Sequence, residues 1–551
     1  MRFPSIALLA AVSSSLVALP AQDKAPASSP LARYQECIVR KPFRYHTVGR
    51  QQLATLRDAS ALTQLIADYT KPQDQAEYAR YTIASMLGRS FDQRDFVDAL
   101  TALRTANGKP VDTWMWMHTL RIQVDQVGDT DVLAIARDDK NALHRAAAIV
   151  AVGAAKRGNV TAAITPNCAT FPKKDWERMA VLGAMTQALW DNRSRVNDSE
   201  YRDALTAYIG LLEPAVGLSK LGKVQMARHL QLILKAPAPF EDAASWLAML
   251  QRGDVKKSTS QTSAQPSFFG IESDGERFCY VIDLSDSMCK KVPSEPRAST
   301  TGPRPKKKKD AILDENDLPW HLIKTRWDLA REQLRISLSR LKPDQQFCVV
   351  WFGSDAGTLN ATKGLVKATR ANIDRAIAEL DAIKEGPPDA VVAPDGTLRG
   401  RTNLHGGLRR AFAVHGSGLA DGPAYVDDKT LAEGCDTVFL LSDGAPSADD
   451  FLVVDKDYGE DQVVVDVEYG AAAARSPQLQ YYGPYIENEW LVDDLRRMNT
   501  FRRIRLHCIG LGEANTQLLR RIAEIGGGET FVVGQPRPKP ADGGGGGGLK
   551  K

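Results

Sequence analysis

The sequence lacks several features that would assign it to a common class of protein. Its 71 basic residues nearly balance 67 acidic ones, so the net charge of +4 gives none of the basic excess that a nucleic-acid-binding face needs. After the N-terminal stretch, no apolar run reaches the roughly 18–20 residues of a membrane span. The nucleophile pattern GxSxG and the zinc pattern HExxH are absent. We therefore expect no nucleic-acid partner, no transmembrane segment and no enzyme of these classes.

Cysteine is scarce and forms no metal or redox motif. The seven cysteines include no CxxC pair, and their number is odd. Cys279, Cys348 and Cys508 each fall inside an apolar, strand-like run, so we interpret them as small buried hydrophobic residues. A disulfide framework, which an exported chain can form, is the alternative.

The first 21 residues have the composition of an export signal. Arg2 supplies a positive start, an apolar stretch runs from Ile6 to Leu19, and Ala21 offers a small residue for cleavage. A polar extension follows over 22–48. We therefore predict a secreted, periplasmic or cell-surface protein with a signal peptide at 1–21; a buried N-terminal helix is the alternative.

Residues 49–252 predict a run of consecutive helices. Leu143, Ala147, Val150 and Ala154 recur at the spacing of one helix face, and short polar breaks separate several such stripes. Helices of this kind stack into an α-solenoid, and the stretch NALHRAAAIVAVGAAKRGN resembles a HEAT-type repeat helix. We predict an all-α, HEAT-like repeat domain, with an irregular helical bundle as the alternative.

Short apolar runs alternate with helical patterns over 274–534. The runs are FCYVID (278–283), FCVVWF (347–352), TVFLLS (437–442), RLHCIG (505–510) and TFVV (530–533). Helical patterns occupy 325–341, 372–383, 404–414, 490–498 and 516–525. Continuous apolar runs are typical of a parallel sheet covered on both faces, and the alternation implies right-handed crossovers. We predict a doubly wound, mostly parallel, Rossmann-like α/β domain, joined by a polar linker at 253–273 and followed by a disordered Pro/Gly-rich tail at 535–551.

Polar residues cluster where three of these segments reach the carboxyl edge of the predicted sheet, the edge at which open α/β sheets bind ligands. The candidate residues are Asp283, Ser285 and Ser287 after the first run, Thr402 before a helix, and Asp443 after the third run. Their oxygens suit a hard cation such as Mg²⁺, or Mn²⁺ or Ca²⁺. We expect the three hydroxyls to bind it directly, while the two carboxylates hold its waters and orient the hydroxyls.

The spacing of these residues resembles the von Willebrand factor A (VWA) family, the fold of integrin I domains and of many bacterial surface proteins. Asp283, Ser285 and Ser287 match the family's DxSxS motif, and Thr402 and Asp443 match its separate threonine and aspartate. The resemblance covers nearly half of the chain and implies a metal-ion-dependent adhesion site (MIDAS). With the preceding helices, the run FFGIESDGERFCYVIDLSDSM and the segment GLGEAN, the chain is similar to secreted bacterial proteins with HEAT-like repeats ahead of a VWA domain.

One residue departs from the family pattern. Asp286 stands where many bacterial VWA domains have glycine, and its carboxylate would either strengthen cation binding or face solvent. Two charged insertions flank the same edge: residues 290–320, which contain Lys306–Lys309, and residues 449–468, which are strongly acidic. Both are expected on the metal face, either as solvated loops or as parts of a partner site.

These observations predict a metal-dependent protein-binding module, in which an acidic side chain of a protein partner completes the coordination of the cation. The alternative is a cell-surface scaffold whose helical repeats bind partners and whose metal is structural. A catalytic function would need an acid or base beside the metal, for which His405 and Asp286 are the only candidates. We expect His405 to have a supporting or surface role.

Overall fold

The computed structural model describes residues 29–40, 43–71, 77–252, 266–292, 313–386, 397–398, 400–451, 481, 483–485 and 487–533. Four segments discussed above lie outside these residues: the predicted export signal, Lys306–Lys309, residues 452–468 of the acidic insertion, and the tail from 535. None of the helices in the described ranges combines the length and the hydropathy of a membrane span.

The N-terminal half is helical throughout its described residues. Its helices are α1 (Pro30–Ile38), α2 (Arg44–Ala54), α3 (Ala59–Thr70), α4 (Glu77–Ser90), α5 (Val97–Ala106), α6 (Thr113–Gln126), α7 (Thr130–Asp138), α8 (Ala142–Ala154), α9 (Val160–Ala169), α10 (Asp175–Asp191), α11 (Ser199–Ile209), α12 (Lys220–Leu234) and α13 (Ala243–Arg252). Side-chain caps fix several starts; Asn141, for example, accepts a hydrogen bond from Leu143 N. The predicted stripe on α8 is buried at Leu143, Ala147 and Val150, whereas Ala154 is exposed.

Helical structure begins earlier than the sequence pattern indicated. The polar extension predicted at 22–48 contains α1 and the start of α2. Tyr34 on α1 is buried, and its hydroxyl donates to Asp68 at the end of α3. Arg50 on α2 completes the contact with an ion pair of 2.8 Å to the same carboxylate. The buried ion pair therefore adds to the apolar contacts of Tyr34, Leu53 and Ala54 in attaching these first helices to the core.

The C-terminal half alternates strands and helices. In chain order its elements are β1 (Ser267–Phe268), β2 (Ile271–Glu272), β3 (Arg277–Asp283), α14 (Arg326–Ser339), β4 (Gln346–Phe352), β5 (Ala356–Thr358), β6 (Val366–Lys367), α15 (Arg370–Ala382), α16 (Leu404–Ala413), β7 (Val414–His415), β8 (Gly418–Leu419), α17 (Asp428–Glu433), β9 (Thr437–Ser442), α18 (Asn488–Asn499), β10 (Arg505–Gly510), α19 (Thr516–Gly526) and β11 (Thr530–Val532). The five predicted apolar runs coincide with β3, β4, β9, β10 and β11.

The main sheet is mostly parallel, as predicted, and its order is β11-β10-β9-β3-β4-β5. β3 lies at its centre and pairs in parallel with β4 on one side and β9 on the other. β5 and β6 pair antiparallel with β4, and the apolar pattern gave no sign of this edge. The central position of β3 places the residues that follow it in the middle of the carboxyl edge.

Both faces of the sheet are covered. On β3, Tyr280 and Ile282 belong to the apolar core beneath α14 and α15, whereas Cys279 and Val281 belong to the core beneath α16, α18 and α19. The fold is therefore a mixed α/β arrangement in which successive residues of one strand serve two cores. Cys279, Cys348 and Cys508 are buried free thiols in the second core, which confirms their assignment as small hydrophobic residues.

Part of the predicted linker is folded. Residues 267–272 form the β1–β2 hairpin, and Phe268 is fully buried. Its ring centroid lies 5.6 Å from that of Tyr280 and 5.8 Å from that of Phe439, so the hairpin packs on the central strands. The folded α/β region thus begins at 266 rather than at 274, because two phenylalanines in a polar segment are enough to attach it to the core.

The helical region and the α/β region share a core. Gly183 on α10 packs against the carbonyl oxygen of Phe501, and no Cβ would fit there. Arg228 on α12 pairs with Asp436, which precedes β9, at 3.1 Å. Tyr425, Trp490 and Phe501 of the α/β region belong to the apolar cluster of the helices. The helices therefore pack along the α/β region, and one of their surfaces is used for that contact.

Candidate metal centre

The five candidate residues lie at the carboxyl edge of the central strands. Asp283 is the last residue of β3, and Asp443 directly follows the neighbouring strand β9. Thr402 lies just before α16. The loop after β3 is tied to the loop before α16 by a hydrogen bond of 3.1 Å from Asp286 N to Gly400 O. The topology therefore brings three separate segments together at one edge.

Asp283 is buried beneath the other candidate residues. Its Oδ1 accepts a hydrogen bond of 2.7 Å from Ser285 N, and its Oδ2 accepts one of 2.9 Å from the hydroxyl of Ser442. Burial and the neighbouring Asp443 carboxylate raise the pKa of Asp283 to about 7, although these hydrogen bonds oppose the shift. Among the described residues, no cation pairs with Asp283.

The two serines connect β3 to Asp443. Ser285 Oγ and Ser287 Oγ are 3.1 Å apart, and Ser287 Oγ donates to Asp443 Oδ1 over 2.5 Å. Ser285 and Asp443 are buried, while Ser287 is half-buried. Burial raises the pKa of Asp443, and the hydrogen bonds from Ser287 and Arg326 partly offset the effect. Hydroxyl and carboxylate oxygens from two adjacent strands thus meet in one place.

Thr402 faces the same space from a third segment. Its backbone is fixed by two hydrogen bonds, from Thr402 N to Ser447 Oγ at 3.0 Å and from Ser447 N to Thr402 O at 3.1 Å. A Cβ built on Gly444 would lie 3.7 Å from Ser287 Oγ and 3.8 Å from Thr402 Oγ1. Because Gly444 has no side chain, these two hydroxyls face a common space that a larger residue would occupy.

The donor set fits a hard cation. Three hydroxyls and two carboxylates converge, and all of their donor atoms are oxygens, which Mg²⁺ prefers over softer ligands. Among the described residues, no group of three or more His, Cys, Asp or Glu side chains is arranged to hold a metal ion by itself, so the hydroxyls are needed for the candidate site. Ser285, Ser287 and Thr402 are suited to direct contact, and Asp283 and Asp443 are suited to orienting them and any bound water.

Arg326 is a site residue that the sequence interpretation missed. It is the first residue of α14, is buried, and donates from Nη1 to Asp443 Oδ2 over 2.8 Å. Its Nη2 pairs with Glu513 at 2.6 Å. Gly512, at φ +50°, packs directly against the guanidinium. The sequence did contain a signal, since Thr325 and Asp328 form a capping box that marks a helix start at the carboxyl edge of the sheet.

His405 is engaged elsewhere. It is fully buried, its Nε2 lies 2.8 Å from Asp494 Oδ2, and its Nδ1 accepts from Asp450 N at 3.1 Å. Both ring nitrogens are therefore used in the described structure, which agrees with a supporting role and not with a surface one. Asp286, in contrast, is exposed at the rim of the site.

The loop after Asp443 connects the carboxyl edge of the sheet to the helical region. Asp449 and Asp450, which the sequence placed in an acidic surface insertion, are buried: the first accepts from Tyr485 N at 2.7 Å, and the second pairs with Arg409 at 2.7 Å. Phe451 then packs on Tyr78 of α4, with ring centroids 5.8 Å apart. The start of this insertion is thus structural, because each of these side chains has a partner in the core.

No protein-family model matches the sequence, and no curated protein matches it. What the oxygen cluster can do therefore follows from its own geometry and charge. It combines two buried carboxylates, three hydroxyls and one arginine that contacts only Asp443 among the five candidate residues. Such a cluster can bind a cation.

Proposed function

We propose that the chain is a metal-dependent protein-binding module of the VWA type. In this proposal Mg²⁺, or Mn²⁺ or Ca²⁺, is held by Ser285, Ser287 and Thr402, with Asp283 and Asp443 in support. The observation that carries the proposal is the position of Ser287 Oγ, which lies 3.1 Å from Ser285 Oγ and 2.5 Å from Asp443 Oδ1. Donors from two adjacent strands are therefore already close enough to share one cation.

The balance of buried charge supports a cation beside Asp283. Most other buried aspartates of the described residues have an arginine within ion-pair distance: Asp68 with Arg50, Asp112 with Arg80, Asp436 with Arg228, Asp450 with Arg409, Asp493 with Arg89 and Asp494 with Arg497. Asp449 is an exception, and it accepts hydrogen bonds from Tyr481, Tyr485 and Phe451. Asp283 has no arginine partner among the described residues. A buried carboxylate without a counter-charge is costly, and a bound cation would supply that charge.

The same charges suggest what the cation would bind. Its proposed direct ligands are neutral hydroxyls, so it would remain electrophilic and keep an exchangeable position. An aspartate or glutamate side chain of a protein partner is the natural ligand for that position. Binding without turnover fits the surroundings, because both ring nitrogens of His405 are already occupied. We therefore propose adhesion to a protein and not catalysis.

The experiment measures partner affinity with and without metal. A partner is captured from the exported proteins of the host in Mg²⁺, and its affinity is then titrated for wild type and Asp283→Ala, each in Mg²⁺ and in EDTA. We expect EDTA and the substitution each to weaken binding by about tenfold or more, because loss of a supporting carboxylate typically reduces metal affinity to that extent. Isothermal titration with Mg²⁺ or Mn²⁺ alone tests the metal step directly.

Asp344→Ala provides the matched control. This aspartate is exposed and precedes β4, so its loss removes the same charge from the opposite edge of the sheet. Circular dichroism confirms that each variant is folded. Equal partner affinity for wild type and Asp283→Ala in Mg²⁺ and in EDTA would contradict the proposal.

The alternative proposal is a scaffold in which the helical region binds the partner and the metal is structural. One observation favours it: Leu31, Val39 and Val127, three large apolar side chains of the helical region, are exposed. This alternative predicts partner binding that survives EDTA. The same titration therefore separates the two proposals.

A further inference from the structure

A cavity of about 410 Å³ lies between the helical region and the α/β region. Its walls come from α6, α8 and α10 on one side and from α18, α19 and the turn after α18 on the other. This turn precedes β10, so the cavity lies at the amino edge of the sheet, opposite the proposed metal centre. The volume is within the range of small-molecule sites, about 300–1,000 Å³.

The charged lining of the cavity is predominantly positive. Four arginines line it, Arg121, Arg496, Arg503 and Arg521, against the two carboxylates Asp191 and Glu524. Arg521 pairs with Glu489 and Arg121 with Asp125, whereas Arg496 is exposed and has no ion-pair partner among the described residues. The exposed guanidinium of Arg496 is therefore the lining group that can donate hydrogen bonds to an anionic ligand.

Arg503 gives the cavity a buried positive charge. It is 6% exposed, its Nη1 donates to Gln187 Oε1, and its Nη2 lies 3.1 Å from His229 Nε2. Its Nε has no hydrogen-bond partner among the described residues. No carboxylate there lies within ion-pair distance, in contrast to buried Arg497, which pairs with Asp494 at 2.7 Å. Asp191, which also lines the cavity, acts on Arg503 only at longer range, so an anion in this cavity would add a nearer counter-charge.

Two tryptophans form the apolar part of the lining. Trp114 is nearly buried, and its indole Nε1 donates to Ser85 Oγ over 3.0 Å, which fixes the ring. Trp190 is half-buried, and Arg193 lies 4.1 Å from the centroid of its ring. Flat aromatic walls of this kind suit a flat apolar group.

We propose that this cavity binds a small organic oxyanion, in which a carboxylate or phosphate group is attached to a flat apolar ring. The oxyanion accepts hydrogen bonds from the Arg496 guanidinium and is attracted by the buried charge of Arg503, and the ring lies against the tryptophans. The two sources of the oxyanion, a carboxylic acid and a phosphate monoester, differ in charge and are separated by the test. Occupancy would also strengthen the contact between the two regions, because both contribute to the walls.

The test uses ligand-observed NMR on the full chain with three probes: benzoate, phenyl phosphate and the neutral isostere benzamide. All measurements are made in EDTA, so the proposed metal centre cannot contribute and the two proposals fail independently. We expect benzoate or phenyl phosphate to bind about tenfold more tightly than benzamide, because a hydrogen bond to a charged group carries roughly that discrimination. The tighter of the two anions identifies the oxyanion.

Variants locate the site. Arg496→Gln, at an exposed position, should weaken binding of the anionic probe several-fold and leave the affinity for benzamide unchanged. Arg520→Gln removes the same charge from an exposed neighbouring position on α19 that does not line the cavity, and it should have no effect. Arg503→Gln should give the largest loss; if it fails to fold, Arg496→Gln still decides. Three results would overturn the proposal. They are equal binding of the anionic and neutral probes, no binding of any probe, and equal effects of Arg496→Gln and Arg520→Gln on binding of the anionic probe.

Discussion

Two groups of buried carboxylates in this chain are neutralised in different ways. At the contact between the two regions, Asp494 accepts two hydrogen bonds of 2.7 Å from Arg497 and a third contact of 2.8 Å from His405. Burial alone would raise its pKa, but Arg497 and His405 outweigh burial and lower the pKa to about 2. At the carboxyl edge, Asp283 has hydroxyl and amide donors but no cationic partner among the described residues, and its pKa is raised to about 7.

This difference in counter-charge distinguishes a carboxylate with a structural role, Asp494, from one that is available to bind a ligand, Asp283. Asp494 is fully balanced by side chains of the protein itself, so it holds elements together and can accept little else. Asp283 and the shared oxygens around it are balanced only in part, since Arg326 reaches Asp443 alone. Both carboxylates are buried. The identity of the counter-charge, which only the fold reveals, distinguishes them.

The largest effect is expected from Arg497→Met, which leaves the buried Asp494 carboxylate with its contact to His405 but without its arginine. The guanidinium also lies 3.4 Å from the ring centroid of Tyr81, so its loss removes a contact with α4. We expect the free energy of unfolding to fall by about 3–5 kcal/mol. Urea denaturation measures it, and the loss should be the same in Mg²⁺ and in EDTA. Arg496→Met, exposed on the same helix, is the control; a comparable loss there would contradict the structural role.

Arg326→Gln tests the partly balanced group. The substitution removes the only cation that contacts Asp443 among the described residues, so we expect a loss of about 3 kcal/mol in EDTA. Mg²⁺ should restore most of that stability, because a bound cation supplies the missing charge. Thermal melting with and without Mg²⁺ measures the recovery. A stability loss that Mg²⁺ does not change would mean that Arg326 is purely structural.

Acid should weaken the contact between the regions through Asp494. Its folded pKa of about 2 lies below the ordinary aspartate value of 3.8, so its stabilising contribution is complete above about pH 4 and is lost as the pH falls towards 2. The contribution is about 2 kcal/mol. Urea denaturation of wild type and Asp494→Asn at pH 5 and near pH 2 should show a difference that shrinks with acid; a constant difference would argue against this assignment.

The smallest effect is expected from Thr402→Val, which replaces the proposed ligand hydroxyl with a methyl group of similar shape. Mg²⁺ affinity should fall by about tenfold, while stability in EDTA changes by less than about 1 kcal/mol. Thr402→Ser keeps the hydroxyl and should retain most of the affinity. Isothermal titration with Mg²⁺ measures the metal affinity of wild type, Thr402→Val and Thr402→Ser. Equal Mg²⁺ affinity for wild type and Thr402→Val would remove Thr402 from the proposed coordination.

The strands of the α/β region were predictable because each is a continuous apolar run buried on both faces. The β1–β2 hairpin was not, since its buried residues, Phe268, Phe269 and Ile271, stand in a segment whose composition is polar. The antiparallel strands β5 and β6 are two or three residues long, too short for a periodic pattern. The hydrophobic pattern of the sequence therefore identifies elements that have their own apolar face. It misses elements whose structure depends on packing against a neighbouring element.

The candidate site was predictable in its residues but not in its charge. Asp283, Ser285, Ser287, Thr402 and Asp443 follow strand ends or precede a helix, and their convergence follows from topology. Arg326 lies about forty residues after the first motif, and nothing in the sequence indicated that its guanidinium turns towards Asp443. The contacts of Arg497, on α18, and of Arg503, in the turn after it, with the helical region were equally hidden, because charged residues are ordinarily expected to face solvent.

The shared core has a consequence for how the protein is made. Ser85 on α4 pairs with Asp493, 408 residues further along the chain, and Gln187 pairs with Arg503, 316 residues further along. At roughly 5–20 residues per second, a ribosome needs on the order of tens of seconds to bridge such distances. During that interval the inner surface of the N-terminal helices has no partner, so nascent chains that stop short of about residue 500 should be the preferred substrates of chaperones and proteases.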